Sequence, residues 1–449
     1  MSRRRNLGIL GAAFATAALM APHAAAAADT PTFTKDIAPI FQEKCEACHR
    51  PDSIAPMSLV TYEEARPWAR SIRSRVEARS MPPWNIDRTI GIQEFKNDRS
   101  LTDAQLETIV KWIDAGAPKG DMKDMPKPKV WPSEQGWQLG KQFGQDAPDL
   151  IIRSTPWTQK AGANDTWWKP VVATGITEPR WVRAIELRPA TVKGRKITHH
   201  AIARLQQEET DALARNDVDQ NGVQQAGTFM EWAVGKQGEV MRPNSGKLML
   251  PGSKIVWDIH YSNGGETITD IVELGIYFYP KGQEPKFRQV LHLMGATNAG
   301  GVDIPPQTLK QTEGFFILRE NGRVESYQPH MHLRGKAMEM SAILPNGQVQ
   351  VLSYVNKFDF NWMSTYMYAD DAAPLLPKGT ILKIVAWHDN TSANKANPDP
   401  NVWVGYGDRT VDEMAHAWVN VTYMGDADYK AELEARRAKR QNTQQQQQQ

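Results

Sequence analysis

The sequence contains only two cysteines, and they stand in a pattern that can hold a prosthetic group. Cys45 and Cys48 are followed directly by His49, which gives Cys-x-x-Cys-His. This spacing lets two thiols attach to one porphyrin while the adjacent imidazole becomes an axial ligand of its iron. A thioredoxin-like redox pair belongs near a βαβ pattern, whereas this motif ends a predicted helix, residues 34–44. The motif therefore predicts a covalently attached haem c.

The second axial ligand of such a haem is expected to be a methionine. No histidine other than His49 lies between residues 24 and 198, and methionine raises the haem reduction potential. Met57 and Met81 both qualify. Met81 is favoured because it follows a predicted helix, residues 62–79, and the prolines after it stiffen the approach of a loop to the haem. Met57 stays open as the alternative.

Five of the ten histidines form three short clusters in strand-like segments. They are His199 and His200 in Ile-Thr-His-His-Ala, His260 in Trp-Asp-Ile-His-Tyr, and His330 and His332 in Pro-His-Met-His-Leu. Residues i and i+2 of a strand share a face, so His330 and His332 can bind one ion together. His199 and His200 would diverge unless the backbone is irregular there. Neutral imidazole suits copper, zinc, iron and nickel, so the clusters predict metal binding.

The region that must position the haem motif has a helical pattern. Residues 30–118 are expected to form a small all-α cytochrome c domain. Its clearest helix begins at a capping box, Thr102 with Gln105, and ends at Gly116. Residues 119–144 follow as a linker, since their first part is rich in Pro, Lys and Asp.

The histidine clusters lie in a region with a different pattern. Many short runs of β-branched and aromatic residues predict antiparallel strands. Their number favours two tandem β-sandwich, jelly-roll-like domains, residues 145–284 and 285–428. Asn346-Gly347 predicts a type I′ hairpin in the second. The tail, residues 429–449, ends in a glutamine run and is expected to be disordered.

The N-terminal residues predict export of the protein. A basic start (Arg3–Arg5), an apolar run (Leu7–Met20) and an alanine-rich segment make residues 1–28 a signal peptide. The apolar run is shorter than the roughly 20 residues that span a bilayer, so we expect a periplasmic or secreted protein without stable membrane insertion. Cleavage would bring the formal net charge from +2 to about −1, which gives no electrostatic case for nucleic acid. Two cysteines exclude a disulfide framework.

With these clusters in this order, the sequence resembles the copper type II, ascorbate-dependent monooxygenases. This is the family of the peptidylglycine α-hydroxylating and dopamine β-monooxygenases, here in a bacterial form fused to an N-terminal cytochrome c domain. The resemblance covers about residues 145–425 and includes Asp412-Glu413-Met414. It implies two copper ions, one bound by His199, His200 and His260, and a catalytic one bound by His330, His332 and Met414. It also implies hydroxylation of a substrate C–H bond with O2.

The resemblance leaves the electron source and the substrate to be inferred. We expect the attached haem to accept electrons from an external donor and to pass them to the all-histidine copper. In peptide-amidating members an arginine and a tyrosine hold the substrate carboxylate, but Gln328 and Trp418 stand there. A small uncharged or aromatic organic substrate is therefore expected, rather than a glycine-extended peptide. The alternative function is an exported electron-transfer or copper-binding cytochrome without hydroxylase activity.

Four further side chains are weaker candidates. Asp258, two residues before His260, is either a partner of that histidine or a solvent-facing acid. His292 and His388 lie on apolar strands and are expected to be core residues, whereas His416 shares a strand face with Met414 and is a candidate for the substrate cleft.

Overall fold

A computed structural model describes most of the chain beyond the predicted signal peptide. The described residues are 30–51, 53–131, 136–208, 227–233, 236, 238–262, 264–296 and 301–447. The signal peptide of residues 1–28 lies outside them. Among the described residues, no helix is both long enough and apolar enough to cross a membrane.

The helices before residue 120 pack around one small apolar core. They are α1 (Ala38–Lys44), which continues a π-helical turn (Phe33–Ile37), α2 (Tyr62–Ala65), a 3-10 turn (Arg66–Trp68), α3 (Ala69–Glu77) and α4 (Asp103–Asp114). Phe33, Phe41 and Trp112 are fully buried at the centre of this core. Thr102 caps α4 by accepting a hydrogen bond from the N–H of Gln105, and this confirms the predicted capping box. Short 3-10 turns follow at Met122–Asp124, Gly140–Phe143 and Gly194–Lys196.

Most of the remaining described chain is β-sheet. The strands are β1 (Ile86–Gly91), β2 (Leu150–Arg153), β3 (Trp157–Gln159), β4 (Thr166–Trp168), β5 (Val171–Ala173), β6 (Arg180–Pro189), β7 (Thr198–Gln206), β8 (Gly227–Ala233), β9 (Glu239–Val240), β10 (Ser245–Met249), β11 (Lys254–Tyr261), β12 (Ile268–Asp270), β13 (Val272–Phe278), β14 (Phe287–Ala296), β15 (Asp303–Ile304), β16 (Leu309–Ile317), β17 (Asn321–His330), β18 (Gly335–Ile343), β19 (Val349–Val355), β20 (Tyr366–Met367), β21 (Leu375–Leu376), β22 (Ile381–Asp389), β23 (Val404–Gly405) and β24 (Ala415–Met424).

Three large sheets arrange these strands around two apolar cores. A ten-stranded sheet runs β2–β13–β6–β10–β14–β24–β17–β20, with β9 beside β6 and β21 beside β17. A five-stranded sheet, β4–β11–β7–β8 with β5, shares one core with the first half of the long sheet. The sheet β1–β19–β18–β22–β16 shares the other core with its second half. This architecture is consistent with β-sandwich domains, and the parallel pairing of β10 with β14 makes one sheet continuous between them.

The predicted hairpin is present, but its turn differs from the expectation. β18 and β19 pair as neighbours across it, and the N–H of Leu344 donates to the carbonyl of Gln348. Only Gly347 has a positive φ, of 84°, whereas a type I′ turn needs two such residues. Pro345 explains the difference, because its ring holds φ negative.

Two further regions depart from the sequence-based prediction. Strand β1 interrupts the helical region and pairs with β19 of the last sheet, so residues 86–91 are not helical. In place of the disordered tail expected from residue 429, α5 (Asp426–Gln447) is a helix. It is held by Glu432, which binds Arg436 one turn later and Arg323 of β17. A glutamine run allows helix, since glutamine is a good helix former.

Candidate metal centre

The first histidine cluster sits on the paired strands β7 and β11. His200 and His260 are directly opposite each other, and the register shifts between His260 and the next residue, leaving His199 as an extra residue in the ladder. This bulge confirms the expected backbone irregularity and lets His199 turn to the same side. One ligand atom from each of the three side chains lies within 4.8 Å of the others. The strand register thus brings together the first three predicted ligands.

The donor atoms of this cluster are suited to a metal. The Nδ1 atoms of His199, His200 and His260 are buried, and none has a hydrogen-bond partner among the described residues. Burial lowers the pKa of His199 to about 4, with a smaller contribution from neighbouring His260. Burial lowers the pKa of His200 and His260 as well. Three neutral imidazoles with unused ring nitrogens are the form that binds a metal ion.

Two neighbours orient His260, and the sequence analysis found neither. The Nε2 atom of His260 donates to the carboxylate of Asp165 at 3.2 Å, and Trp167 stacks on the same ring at 4.6 Å between centroids. A carboxylate on the far ring nitrogen fixes the tautomer of a metal-binding histidine. Asp258 does not have this role, since it lies near Lys169 and Arg204 instead. Asp165 could not be recognised from sequence spacing, because it lies 95 positions before His260 and reaches it from a different segment.

The second cluster begins where β17 ends. The rings of His330 and His332 lie 5.3 Å apart between centroids, and Met331 between them is buried in the core, as the strand alternation predicts. His332 donates from Nδ1 to the carbonyl of Asp412 at 3.1 Å. His330 has its Nδ1 atom 3.0 Å from the sulfur of Met363, a residue that the sequence analysis missed. Both contacts are made by Nδ1, the ring nitrogen on the far side from Nε2.

Glu413, the neighbour of Met414, is hydrogen-bonded to the backbone of this cluster. The fully buried carboxylate of Glu413 accepts hydrogen bonds from the backbone N–H groups of His332, at 2.9 Å, and Arg334, at 2.6 Å. Burial raises the pKa of Glu413 to about 7. His388 donates from Nε2 to the carbonyl of Met414 at 3.1 Å. The segment that carries Met414 is therefore tied to the segment that carries the two histidines.

The two clusters lie side by side. The rings of His200 and His330 are 5.7 Å apart between centroids. Phe360 stacks on His199 at 4.7 Å and meets His332 edge-on at 6.1 Å, so one phenyl ring contacts both clusters. The arrangement is a single, largely buried centre built from two sandwiches, with His199 and Phe360 partly exposed.

His416 belongs to this centre, whereas His292 does not. The ring of His416 stacks on His330 at 4.7 Å, and both its ring nitrogens are buried without a partner in the described part of the chain. His292 is fully buried and bonds the hydroxyl of Tyr423 at 2.8 Å. His388 is fully buried as well, and the expectation that these two histidines are core residues is confirmed.

The residues at the predicted substrate positions are also buried. Gln328 donates to the carboxyl group of Glu231 and accepts from the hydroxyl of Thr365. Glu231 is itself paired with Lys236 at 2.9 Å. Trp418 lies 4.8 Å from His330 between ring centroids and packs with Ile202 and Leu291 in a small apolar cluster.

The Cys-x-x-Cys-His motif forms one helical turn. The carbonyl of Cys45 accepts hydrogen bonds from the N–H groups of Cys48 and His49, at 3.1 and 3.0 Å, and the two thiols do not form a disulfide. His49 donates from Nδ1 to the carbonyl of Met57 at 3.2 Å, which leaves its Nε2 atom available. The backbone of Met57 thus lies on the side of the ring opposite to Nε2.

The likenesses found between this chain and known proteins are structural and weak. No family model matches it, and no curated protein matches it. Weak structural likenesses include a candidate alpha-L-fucosidase from Bacteroides ovatus, with 10% identity and a TM-score of 0.17 over 66% of this chain and 41% of that one. An IBDV viral particle protein has 11% identity and a TM-score of 0.18, over 62% and 71% of the two chains. Paenibacillus xanthan lyase has 11% identity and a TM-score of 0.16, over 69% of this chain and 28% of the lyase. This chain spans about two fifths of the fucosidase, and such low TM-scores carry no argument.

Proposed function

We propose that this protein is an exported copper-dependent monooxygenase that hydroxylates a C–H bond of a small organic substrate with O2. It would receive electrons through a covalently attached haem c. The observation that carries the proposal is the grouping of three histidines on one side of a sheet, each with a buried Nδ1 atom that has no partner among the described residues, and the contact of one of them, His200, with His330 of the second cluster. Each buried ring nitrogen without a partner lowers the free energy of unfolding by about 1–3 kcal/mol. A bound metal ion would supply the missing partner.

The residues present fit two copper ions. The first would be held by His199, His200 and His260, and the second by His330, His332 and Met414. Imidazole is a good ligand for copper in general, while a thioether favours Cu(I). Bound copper would supply one-electron redox chemistry and the activation of O2 for insertion into a C–H bond.

The chain's own residues would hold the metal-binding imidazoles in a fixed orientation and in the neutral form. Asp165 holds the ring of His260 in one tautomer through its Nε2 atom, and the carbonyl of Asp412 does the same for His332 through Nδ1. Glu413 fixes the backbone around His332 and Arg334. Burial of the imidazoles excludes water and keeps them unprotonated, so that protons do not compete with the metal.

The residues near the motif fit a haem c. Cys45 and Cys48 would carry the porphyrin, and His49 would bind the iron through Nε2 while Nδ1 donates to the Met57 carbonyl. That contact supports Met81, and not Met57, as the methionine that would bind the iron, because the backbone of Met57 lies on the Nδ1 side of the His49 ring. The haem would supply electrons one at a time from an external donor.

The buried groups beside the second cluster support an uncharged or aromatic substrate. Where the peptide-amidating relatives have an arginine, Gln328 donates to Glu231. A negatively charged carboxylate would meet a neutral amide there, and the cation Lys236 is already paired with Glu231. Trp418, Ile202 and Leu291 add apolar surface next to His330. A glycine-extended peptide is therefore not the proposed substrate.

Metal analysis of the exported chain tests the proposal most directly. Expression with haem maturation should yield about two copper ions and about one iron per chain. Met414→Ile should spare the haem spectrum and abolish reductant-driven O2 uptake with candidate substrates. Met424→Ile, which changes a buried methionine at the other end of β24, is the matched control and should keep O2 uptake.

Two results would contradict this function. A chain that binds zinc and no copper has no means to activate O2 in this way. A chain with the expected copper and haem but without O2 uptake on any substrate would be an electron-transfer or copper-binding cytochrome instead.

A further inference from the structure

The haem-binding segment runs into the core of the second sandwich. Trp84 follows Met81 by three residues, which keeps their Cα atoms within about 11 Å. Trp84 and Ile86 are buried among the residues of the second sandwich core, not among those of the helical region. The strand that starts at Ile86 pairs with β19. The segment that would carry the sixth haem ligand is thus anchored on the sandwich that carries His330.

Trp84 meets an aromatic ring that leads toward the second histidine cluster. Its ring lies 4.7 Å from that of Tyr366 between centroids, and the next residue, Asn85, donates its N–H to the Tyr366 hydroxyl at 3.2 Å. Tyr366 is fully buried and is paired in register with Tyr327, whose ring is stacked at 6.4 Å. Trp84 and Tyr366 therefore form a contact between two segments that are far apart in sequence.

Each tyrosine is separated by three residues from a position at the second cluster, Tyr327 from His330 itself and Tyr366 from Met363. Tyr327 precedes His330 by three residues of strand β17, about 10 Å. Tyr366 follows Met363 by three residues, and the Met363 sulfur is 3.0 Å from the Nδ1 atom of His330. Two short paths thus lead from the Trp84 contact to the same imidazole. The rings that contact the first cluster, Trp167 and Phe360, meet its histidines directly, Phe360 also meets His332, and Trp167 lies under the ammonium group of Lys169.

We propose that Trp84 and Tyr366 are the electronic contact between the haem-binding segment and the second histidine cluster. Electrons would therefore reach the copper sites at His330, and not at the all-histidine cluster that we expected from the sequence to receive them. This inference rests on the proposed function, because it needs a haem at Cys45 and Cys48 and copper at His330 and His332.

The transfer is balanced without further reactants. One electron leaves Fe(II), which becomes Fe(III), and arrives at Cu(II), which becomes Cu(I). No bond forms or breaks, and the rings of Trp84 and Tyr366 end as they began. The Tyr366 hydroxyl accepts a hydrogen bond from Asn85 and keeps its own proton. The external donor of the proposed function reduces the iron again.

Anaerobic flash reduction of the haem tests the contact without substrate or O2. The full chain, loaded with haem and Cu(II), is reduced by a laser-triggered donor, and haem reoxidation is followed by absorbance while Cu(II) is followed by EPR. Trp84→Leu and Tyr366→Leu should each slow reoxidation by about tenfold or more. Trp84→Phe, which keeps a ring, should slow it less than Trp84→Leu.

Phe95 supplies the matched control. It contacts Trp84 and Tyr366 in the same aromatic group, but it is not needed for their mutual contact. Phe95→Leu should leave the rate within about twofold of the unmodified chain. Thermal unfolding and the haem spectrum show whether each variant is folded. A folded Tyr366→Leu or Trp84→Leu chain with an unchanged rate overturns the inference.

Variants that each lack one copper site identify the acceptor. In His330→Ala, fast haem reoxidation should stop, whereas in His199→Ala it should continue with loss of the remaining Cu(II) signal. The reverse pattern overturns the inference but leaves the proposed function standing. If the haem of the unmodified, copper-loaded chain is not reoxidised at all, the electron supply of the proposed function fails instead.

Discussion

The two histidine clusters use the same side chain but are positioned by different means. His200 and His260 face each other across paired strands, so backbone hydrogen bonds set their separation. His330 and His332 sit where a strand ends, and side chains from distant segments hold them: Glu413 fixes the backbone and Met363 contacts a ring. A sheet register is cooperative and tolerant of single changes. A cluster held by separate tertiary contacts depends on each of them.

The largest expected effect comes from removing a ligand of the first cluster. His200→Ala should lower the copper content from about two ions per chain to about one, since two remaining imidazoles hold the metal weakly. The fold should persist because the strand pairing does not involve the ring. Metal analysis and circular dichroism check this.

His292→Ala provides the control for that change. It removes another buried imidazole, bonded to Tyr423, and should leave both copper ions in place. If His200→Ala keeps the full copper content, the first cluster is not a metal site.

Glu413→Ala should damage the second cluster and spare the first. It leaves the buried N–H groups of His332 and Arg334 without their acceptor, at a cost of about 3 kcal/mol in the free energy of unfolding. Copper titration followed by EPR should show one weakened site. Equal loss from both sites would mean that the clusters are not positioned independently.

A buried acid behind the first cluster should make the stability of the metal-free chain depend on pH. Burial raises the pKa of Asp270 from 3.8 to about 6, although hydroxyl groups of Thr198 and Tyr261 donate to it. The folded state favours the protonated form of Asp270. Its contribution to the free energy of unfolding is therefore complete below pH 3.8 and is lost as the pH rises through about 6. The loss should reach about 3 kcal/mol.

Asp270→Asn isolates this effect. Denaturant unfolding at pH 4 to 7 measures the free energy of unfolding of both chains. That free energy should fall less with rising pH in the variant, because other titrating groups affect both chains alike. Parallel pH profiles for the two chains would contradict a raised pKa at Asp270.

The smallest expected effects concern residues that orient ligands without binding the metal. Asp165→Asn weakens the partner of His260 and should lower copper affinity at the first site by about tenfold. Met363→Leu removes the sulfur next to His330 and should lower affinity at the second site by a similar or smaller factor. Competition with a copper chelator measures both. If either variant lowered the copper affinity of the other site instead, the conclusion that each cluster is held by its own neighbours would be wrong.

Part of this architecture can be predicted from local patterns. The capping box at Thr102 and the hairpin at Asn346 depend on a few neighbouring residues, and both elements are present. The irregular backbone at His199 follows from two adjacent histidines on a strand. The predicted turn type of the hairpin was wrong because Pro345 restricts φ. The prediction of a disordered tail was wrong because α5 forms an ion pair with Arg323 of β17, which composition alone does not reveal.

The residues that orient the ligands could not be predicted in the same way. Asp165 and Met363 reach His260 and His330 across 95 and 33 positions of the chain. No spacing rule links such pairs, because their contact depends on how strands from different segments are placed.

The sequence by itself determined which side chains can bind a haem or a metal, since i, i+2 and Cys-x-x-Cys-His spacings are local and follow from strand and helix geometry. Only the tertiary structure decided that the two histidine clusters touch, that the segment before β1 places Trp84 in the second core, and which neighbours hold each imidazole. These features depend on the pairing of strands far apart in the chain, where the burial of apolar side chains, and not residue spacing, sets the distances.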